Sequence, residues 1–317
     1  MKTPFRTKDL LLIVVAMSSM GAAIIFPDFG SRFQAFPFYC LMVNFFLSYL
    51  SIDLASVWQA FAGNSRRILA FTAAKLAVFP VIIYYIFSLV APDYALSALL
   101  LTGVSVGVIS PMMSNMVRGN SALVLVVVVV TSALAPFTLP AVVKLVASQE
   151  MALSFSAMLR MLATVIFIPM IVVEFIRFAT PRLIRPIMHI HFPIFLAMIA
   201  LINLGVFYRY AAFFRQEPSA IVMALVVVFV LASIYCLTGI LFFKTGSLEN
   251  QLAGAVMMAN MNNVLVIVFS SQFFGPIEPL VAAMYMIPFF AVVVPLRYYR
   301  YRKIRGRRDI PLGPPSG

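Results

Sequence analysis

Residues 99–115 read LLLTGVSVGVISPMMSN, an apolar stretch that is interrupted by glycine, serine and proline. Pro111 has no backbone N–H and clashes with the carbonyl group four residues before it, so we expect a helix to break near residues 107–111. Residues 257–264 read MMANMNNV and contain three asparagines, at positions 260, 262 and 263. Three such side chains cannot share one face of an intact helix, so this stretch also predicts an interrupted helix.

The composition around these two stretches is that of a membrane protein. Hydrophobic residues make up 63% of the 317-residue chain, charged residues make up 10%, and the mean hydropathy is +1.04. Soluble proteins carry about 25% charged residues, so the composition excludes a soluble enzyme, a nucleic-acid-binding protein and a disordered chain. Cys40 and Cys236 lie in apolar runs and indicate neither a disulfide framework nor a thiolate metal site.

Apolar segments of membrane-spanning length follow one another along the whole chain. A helix needs about 20 apolar residues to cross a bilayer, and ten segments of that kind are bounded by charges or by proline, glycine and asparagine. They lie near residues 9–27, 35–52, 67–90, 95–117, 121–146, 155–178, 190–212, 219–243, 250–272 and 279–299. We therefore predict an all-α, polytopic membrane protein with ten transmembrane helices.

The basic residues predict the orientation of these helices. If the N-terminus is cytoplasmic, seventeen of the 23 lysines and arginines lie on the inside and four on the outside. The inside set is Lys2, Arg6, Lys8, Arg66, Arg67, Arg118, Arg177, Arg182, Arg185, Lys244 and the seven between Arg297 and Arg308. This bias predicts a multi-pass protein of the inner (plasma) membrane with both termini in the cytoplasm. No small-residue cleavage site of a signal peptide follows the first segment. We therefore expect this segment to be retained as the first helix.

The two predicted interruptions lie about 150 residues apart, in the fourth and the ninth segments. This spacing predicts two five-helix repeats, at residues 1–150 and 151–300, followed by a basic and disordered tail at 301–317. Since each repeat contains an odd number of spans, the second is inverted relative to the first. Paired broken helices in inverted repeats indicate the midplane substrate site of a secondary transporter. We expect its substrate-binding residues to be Ser110, Pro111, Asn260, Asn262 and Asn263.

Several short motifs accompany the breaks. They are Phe26-Pro27-Asp28, Phe79-Pro80, Arg118-Gly119-Asn120, Thr138-Leu139-Pro140 and Met261-Asn262-Asn263. Together with the stretch Leu99–Pro111, they resemble the bile acid/sodium symporter family over most of the chain. The resemblance implies ten helices in a panel domain and a core domain, with helices four and nine unwound and crossing. It also implies transport of organic anions, such as bile acids, pantoate-like acids or steroid conjugates, by an elevator-like alternating access.

The chain departs from the family at both sodium sites that the resemblance implies. The serine of the first site is Ser110, but its asparagine position is Pro111, its hydroxyl positions are Val124 and Val128, and its carboxylate position is Met257. The second site would consist of Met257, Met261 and Lys75. Sodium prefers hard oxygen ligands, which methionine and valine do not supply. We therefore expect neither sodium site to be functional, and we expect no other metal or cofactor.

Lys75 permits two interpretations. It lies about 10 Å below the membrane interface at 1.5 Å per residue, so its side chain can reach back to the cytoplasmic surface. Alternatively, its ammonium group occupies the position of a sodium ion in the family and exchanges a proton, as lysines in sites without water can. The loss of a carboxylate and the gain of an amine at one family site favour the second interpretation.

These observations predict a secondary transporter of an organic anion, either bile-acid-like or a small carboxylate, that is independent of sodium or coupled to protons. An ordinary sodium-coupled symporter and a non-transporting sensor or binding protein are the alternatives. No enzyme motif is present, so we do not expect catalysis. His189 and His191 lack further ligands for a metal site, and Glu174 three residues before Arg177 predicts a local ion pair.

Overall fold

A computed structural model describes residues 7–52, 54–147 and 154–308, and this part of the chain is built from helices. Each of the ten apolar segments contains α-helix, and the fourth and ninth are interrupted. In chain order the α-helices are α1 (Thr7–Ile25), α2 (Pro27–Ser31), α3 (Pro37–Leu50), α4 (Leu54–Ala73), α5 (Phe79–Val90), α6 (Ala95–Gly103), α7 (Ser110–Val117), α8 (Ser121–Ala147), α9 (Phe155–Ala179), α10 (Ile184–Phe207), α11 (Ala211–Gln216), α12 (Ser219–Phe242), α13 (Leu248–Ala259), α14 (Asn263–Phe273), α15 (Ile277–Met284), α16 (Met286–Ala291) and α17 (Val293–Arg308).

Six stretches in the described residues are long and apolar enough to cross a membrane. They are Ser65–Val90, Ser121–Val146, Phe155–Ala179, Pro181–Gln216, Ser219–Phe242 and Ile277–Arg305. Apolar side chains also cover much of the outer surface, as Leu89 and Phe178 show with exposed fractions of 87% and 90%. Length, composition and this apolar surface agree with a polytopic membrane protein.

Prolines and short polar side chains determine where many of the helices begin. Pro27, Pro37 and Pro111 lie in the first turns of α2, α3 and α7, where a missing N–H group leaves no hydrogen bond unmade. Ser154 and Ser247 precede α9 and α13, and each hydroxyl accepts a hydrogen bond from a first-turn N–H group. The chain is therefore divided into helices largely by its local sequence.

The first predicted break is present but lies earlier than expected. Helix α6 ends at Gly103 and α7 begins at Ser110, so the non-helical segment is 104–109 instead of 107–111. The predicted position was wrong because Pro111 does not interrupt a helix from within. It lies in the first turn of α7, where its fixed backbone geometry favours helix initiation.

The helices form two groups. Helix α10 packs on both α1 and α3, and α9 packs on α3. The second group contains the interrupted helices, and within it α12 packs on α13, α5 on α6, and α14 on α15. Arg177 of α9 holds the end of α3, since it pairs with Glu174 at 2.8 Å and donates hydrogen bonds to the carbonyl oxygens of Tyr49 and Ile52. The predicted local pair is confirmed, and it also stabilises α3.

The predicted disordered tail was wrong for its first half, because α17 continues as a helix to Arg308. Pairs four residues apart on this helix explain its stability. The Arg302 guanidinium lies 5.9 Å from the centre of the Tyr298 ring, and the Lys303 ammonium lies 5.7 Å from that of Tyr299. Such pairs stabilise helices. The N-terminal residues Lys2 and Arg6, the repeat boundary at 150/151 and residues 309–317 lie outside the described residues.

Two glycines allow α12 and α13 to approach each other closely. A Cβ atom added at Gly239 would overlap the backbone of Gly254, and one added at Gly254 would overlap the backbone of Gly239. Contacts between small residues are the usual means by which membrane helices pack backbone to backbone. Because α13 ends at the second break, this contact also positions the break.

We expect Gly239→Ala to lower stability by about 1–3 kcal/mol, since the added methyl group forces two backbones apart. Gly21→Ala in α1 is the matched control, because its new methyl group would meet no atom within 4 Å and alanine favours a helix. Thermal unfolding of the purified protein in detergent compares the two. Equal melting temperatures for both variants would contradict the close contact between α12 and α13.

Candidate functional site

The two interrupted helices meet at their breaks. Val106 and Met261 form an antiparallel bridge. On either side of it, the Gly107 N–H group donates to the Asn260 carbonyl oxygen at 2.8 Å, and the Asn262 N–H group donates to the Ser105 carbonyl oxygen at 3.0 Å. Two segments that left their helices therefore satisfy part of each other's backbone hydrogen bonding.

Side chains complete this junction. The Ser110 hydroxyl donates to the Asn260 carbonyl oxygen at 2.8 Å. The Thr131 hydroxyl on α8 accepts a hydrogen bond from the Val106 N–H group at 3.1 Å and donates to the Val127 carbonyl oxygen at 2.7 Å. Thr131 was not identified from the sequence, since a hydroxyl in an apolar helix usually bonds only to its own helix.

Gly107 is required for the close approach of the two segments. A Cβ atom at this position would lie 2.9 Å from the carbonyl oxygen of Met261 and 3.3 Å from that of Asn260. Any larger residue would push the two breaks apart. The glycine in the first break therefore serves the contact between backbones.

Asn260, Ser110 and Pro111 belong to the junction and do not line the cavity beside it. The Asn260 side-chain Nδ2 donates to the Phe289 carbonyl oxygen at 2.8 Å, and the residue is fully buried. Its role in the described structure is to connect the second break to α16.

A cavity of about 70 Å³ adjoins the junction between the two helix groups. Asn262 and Asn263 line it from the second break, and Asn44 lines it from α3. A second cavity of about 350 Å³ shares lining residues with the first, including Ser48, Phe195 and Phe290. We refer to the two adjoining cavities together as the crevice. Its inner end is the part lined by Asn44, Asn262 and Asn263.

Several polar groups of the residues at the inner end have no partner. Both side-chain polar atoms of Asn44 and the Oδ1 of Asn263 are buried without a hydrogen bond, and each residue is only 4% exposed. Within the described part of the chain, the backbone N–H groups of Val108, Ile109 and Val264 also lack an acceptor. Buried polar groups without partners are rare in proteins, and others lie elsewhere in the described part of the chain, for example at Thr72 and Asn203.

Asn44 was not identified from the sequence. It lies in α3, far from both breaks along the chain, and a lone asparagine in an apolar helix usually bonds to a neighbouring helix. Asn262 differs from the other two, since its Oδ1 accepts a hydrogen bond from the Leu265 N–H group at 3.2 Å and caps α14.

Lys75 is fully buried, so the interpretation that its side chain reaches the membrane surface was wrong. Its ammonium group donates to the Thr102 carbonyl oxygen at 3.0 Å, next to the end of α6. The backbone forms a π-helical turn at Ala74–Val78, between α4 and α5. Such turns are frequent at functional sites. The C-terminal end of α6 favours a cation, because the carbonyl groups there carry the negative end of the helix dipole.

Two buried tyrosines connect the ends of α6 and α13. The Tyr235 hydroxyl lies 2.7 Å from the Thr102 hydroxyl, and the Tyr285 hydroxyl donates to the Ala259 carbonyl oxygen at 3.0 Å. Their ring centres are 6.0 Å apart. Both helices that end at the junction therefore have a hydrogen-bond donor at or next to their C-terminal end. The donor is the Lys75 ammonium group at α6 and the Tyr285 hydroxyl at α13.

The remaining residues of the implied sodium sites are apolar and enclosed. Met257 lies in α13, Met261 lies in the second break, and Val124 and Val128 lie in α8, each at most 1% exposed. In residues 7–52, 54–147 and 154–308, no group of three or more histidine, cysteine, aspartate or glutamate side chains is arranged to hold a metal ion.

We expect Thr131→Val to destabilise the protein by about 1–3 kcal/mol, because the buried Val106 N–H group loses its acceptor. Thr138→Val on the same helix is the control, since the Thr138 hydroxyl bonds only to the Leu134 carbonyl oxygen one turn away. Thermal unfolding and hydrogen exchange at Val106 measure the effect. Unchanged protection of the Val106 amide in Thr131→Val would contradict the proposed fastening of the break.

Comparison with known proteins provides no identification of the chain: no protein-family model matches it, and no curated protein matches it.

Proposed function

We propose that this protein is a secondary active transporter of an organic anion that works by alternating access. The observation that carries the proposal is the junction of two interrupted helices beside a crevice with unpaired donors. In the proposed arrangement, ten transmembrane helices form two inverted five-helix repeats, and the fourth and ninth cross at the midplane. Broken helices of this kind contain the substrate site in many transporters.

The unpaired groups favour an anion as the substrate. The N–H groups of Val108, Ile109 and Val264 and the amide of Asn44 are donors in residues at the inner end of the crevice. A carboxylate or similar group accepts several hydrogen bonds at once. Val264 also lies in the first turn of α14, where the helix dipole favours negative charge. Such a ligand would accept hydrogen bonds from the donors among these groups, which are the backbone N–H groups and the Nδ2 of Asn44.

The position of the crevice is suited to alternating access. One wall belongs to α1, α3 and α10, and the other belongs to the interrupted helices. A relative movement of the two groups would expose the inner end to one side of the membrane at a time. The wider cavity includes Met112 of α7, whose following loop carries Arg118 on the side that the basic residues predict to be cytoplasmic.

Lys75 supports a transport cycle without sodium. Its ammonium group is already hydrogen-bonded next to the C-terminal end of α6, where a bound cation would otherwise meet carbonyl oxygens. In the proposed cycle the protonated lysine supplies the positive charge that helps to hold the anion. Because a bound anion in turn favours the protonated lysine, substrate and proton bind cooperatively.

We expect Asn263→Ala to weaken anion binding by about tenfold or more, because the amide N–H donor of a cavity-lining side chain is lost, without a loss of stability, since its Oδ1 has no partner. Asn260→Ala should instead destabilise the fold by about 1–3 kcal/mol, because the Phe289 carbonyl oxygen loses its donor. Thermal unfolding measures the second effect. Counterflow in proteoliposomes, with taurocholate and pantoate as the first probes, measures the first.

Normal counterflow by Asn263→Ala would contradict the assignment of this substrate site. Probe binding without counterflow in the wild-type protein would instead indicate a sensor or binding protein, and would overturn transport.

We expect the affinity of the wild-type protein for an anionic probe to fall as pH rises and Lys75 loses its proton. The limit for one linked proton is about tenfold per pH unit. Lys75→Gln should bind with little pH dependence, whereas Lys144→Gln, which alters an exposed lysine, should behave like the wild type. Affinity is measured against pH with and without saturating sodium. A sodium-dependent increase in wild-type affinity would contradict the proposal and favour an ordinary sodium symporter.

A further inference from the structure

The crevice has a polar outer end as well as a polar inner end. Of the described residues that line it, His191 alone has an ionisable side chain. It lies on α10 at the wider cavity, together with Ser48 and Ser51 of α3. The imidazole is half-buried and has no hydrogen-bond partner in the described residues. An unpaired imidazole in an otherwise uncharged cavity is available to a ligand.

Apart from Ser48, which lines both cavities, the wall between the two ends is apolar. The side chains that line it include Leu12, Leu47, Phe195 and Phe290. Asn44 at the inner end and Ser51 at the outer end are seven residues apart on or next to α3, a separation of about 10 Å along the helix axis at 1.5 Å per residue. The crevice therefore has polar groups at both ends and a hydrophobic middle.

This pattern describes the ligand that fits the crevice. An anion with a short apolar chain would place its first carboxylate among the donors at the inner end. A second carboxylate at the far end of the chain would come to lie at the outer end, where His191 offers an N–H donor. Ser48 and Ser51 offer hydroxyl donors at the same end, and His191 is the one described lining residue there with an ionisable side chain.

We infer that His191 is a specificity-determining residue that selects elongated dicarboxylates over monocarboxylates of the same length. The inference rests on the proposed function, because it assumes that the crevice binds an organic anion. It specifies the substrate class of the proposed transporter and the residue that binds the second carboxylate.

His189 provides a matched control. It lies two residues before His191 on the same helix but is exposed and does not line the crevice. Substitution of His189 changes the same type of residue on the same helix, α10. Any effect of charge or helix propensity alone would therefore appear equally in both variants.

The test compares octanoate with octanedioate, whose two carboxylates are separated by a chain of matching length. Affinities are obtained from ligand-dependent thermal unfolding of the full-length protein in detergent. The wild type should bind octanedioate about tenfold more tightly than octanoate, as expected for a hydrogen bond to a charged group. His191→Leu, which removes the donor, should lose this preference while retaining octanoate affinity. His191→Lys should restore it, and His189→Leu should leave it unchanged.

Equal affinities of the wild type for the two ligands would overturn the role of His191 but leave an anion-binding crevice intact. An equal loss of the preference in His189→Leu and His191→Leu would also overturn it, because the effect would then not depend on the position of His191 in the crevice. No stabilisation by either ligand would contradict both this inference and the proposed function.

Discussion

The hydrogen-bonding requirement of backbone groups in an apolar interior shapes the centre of this molecule. A helix that stops inside the bilayer exposes N–H and C=O groups that lipid cannot satisfy. Here two helices stop at the same place, and the Gly107–Asn260 and Ser105–Asn262 backbone hydrogen bonds satisfy part of each break with the other. Thr131 satisfies a further group. The crevice, the buried lysine and the tyrosine pair all lie around this hydrogen-bonded junction of the two breaks.

The asparagines of the second break divide into distinct roles. Asn260 fastens the break to α16, and Asn262 caps α14, so both use side-chain groups for structure. Asn263 keeps its Oδ1 unpaired at the crevice, as Asn44 keeps its whole amide. The Asn260 Oδ1 is unpaired as well, so the three side chains differ in the partners of their other groups, since Asn260 is joined to α16 and Asn262 caps α14.

Local patterns predicted much of the fold. Apolar segments predicted helices, and glycine and asparagine positions lie within the two interruptions, whereas Pro111 lies in the first turn of α7. Contacts between distant segments were less accessible. The sequence could not reveal that Asn44 faces the second break, that Thr131 binds the first, or that Lys75 meets Thr102, because each depends on how separate helices pack. The extension of α17 was missed since charge alone indicated a tail, although its tyrosine–cation pairs stabilise a helix.

The π-helical turn at Ala74–Val78 has a consequence for how this chain tolerates changes in length. A π turn accommodates one additional residue within a helix, so the faces of α4 and α5 are out of register with each other. Deletion of a single residue here would yield a more regular helix, yet it would rotate one half and turn another side chain towards Thr102. The irregular turn therefore determines which side chain meets Thr102, and the position of the buried lysine depends on it.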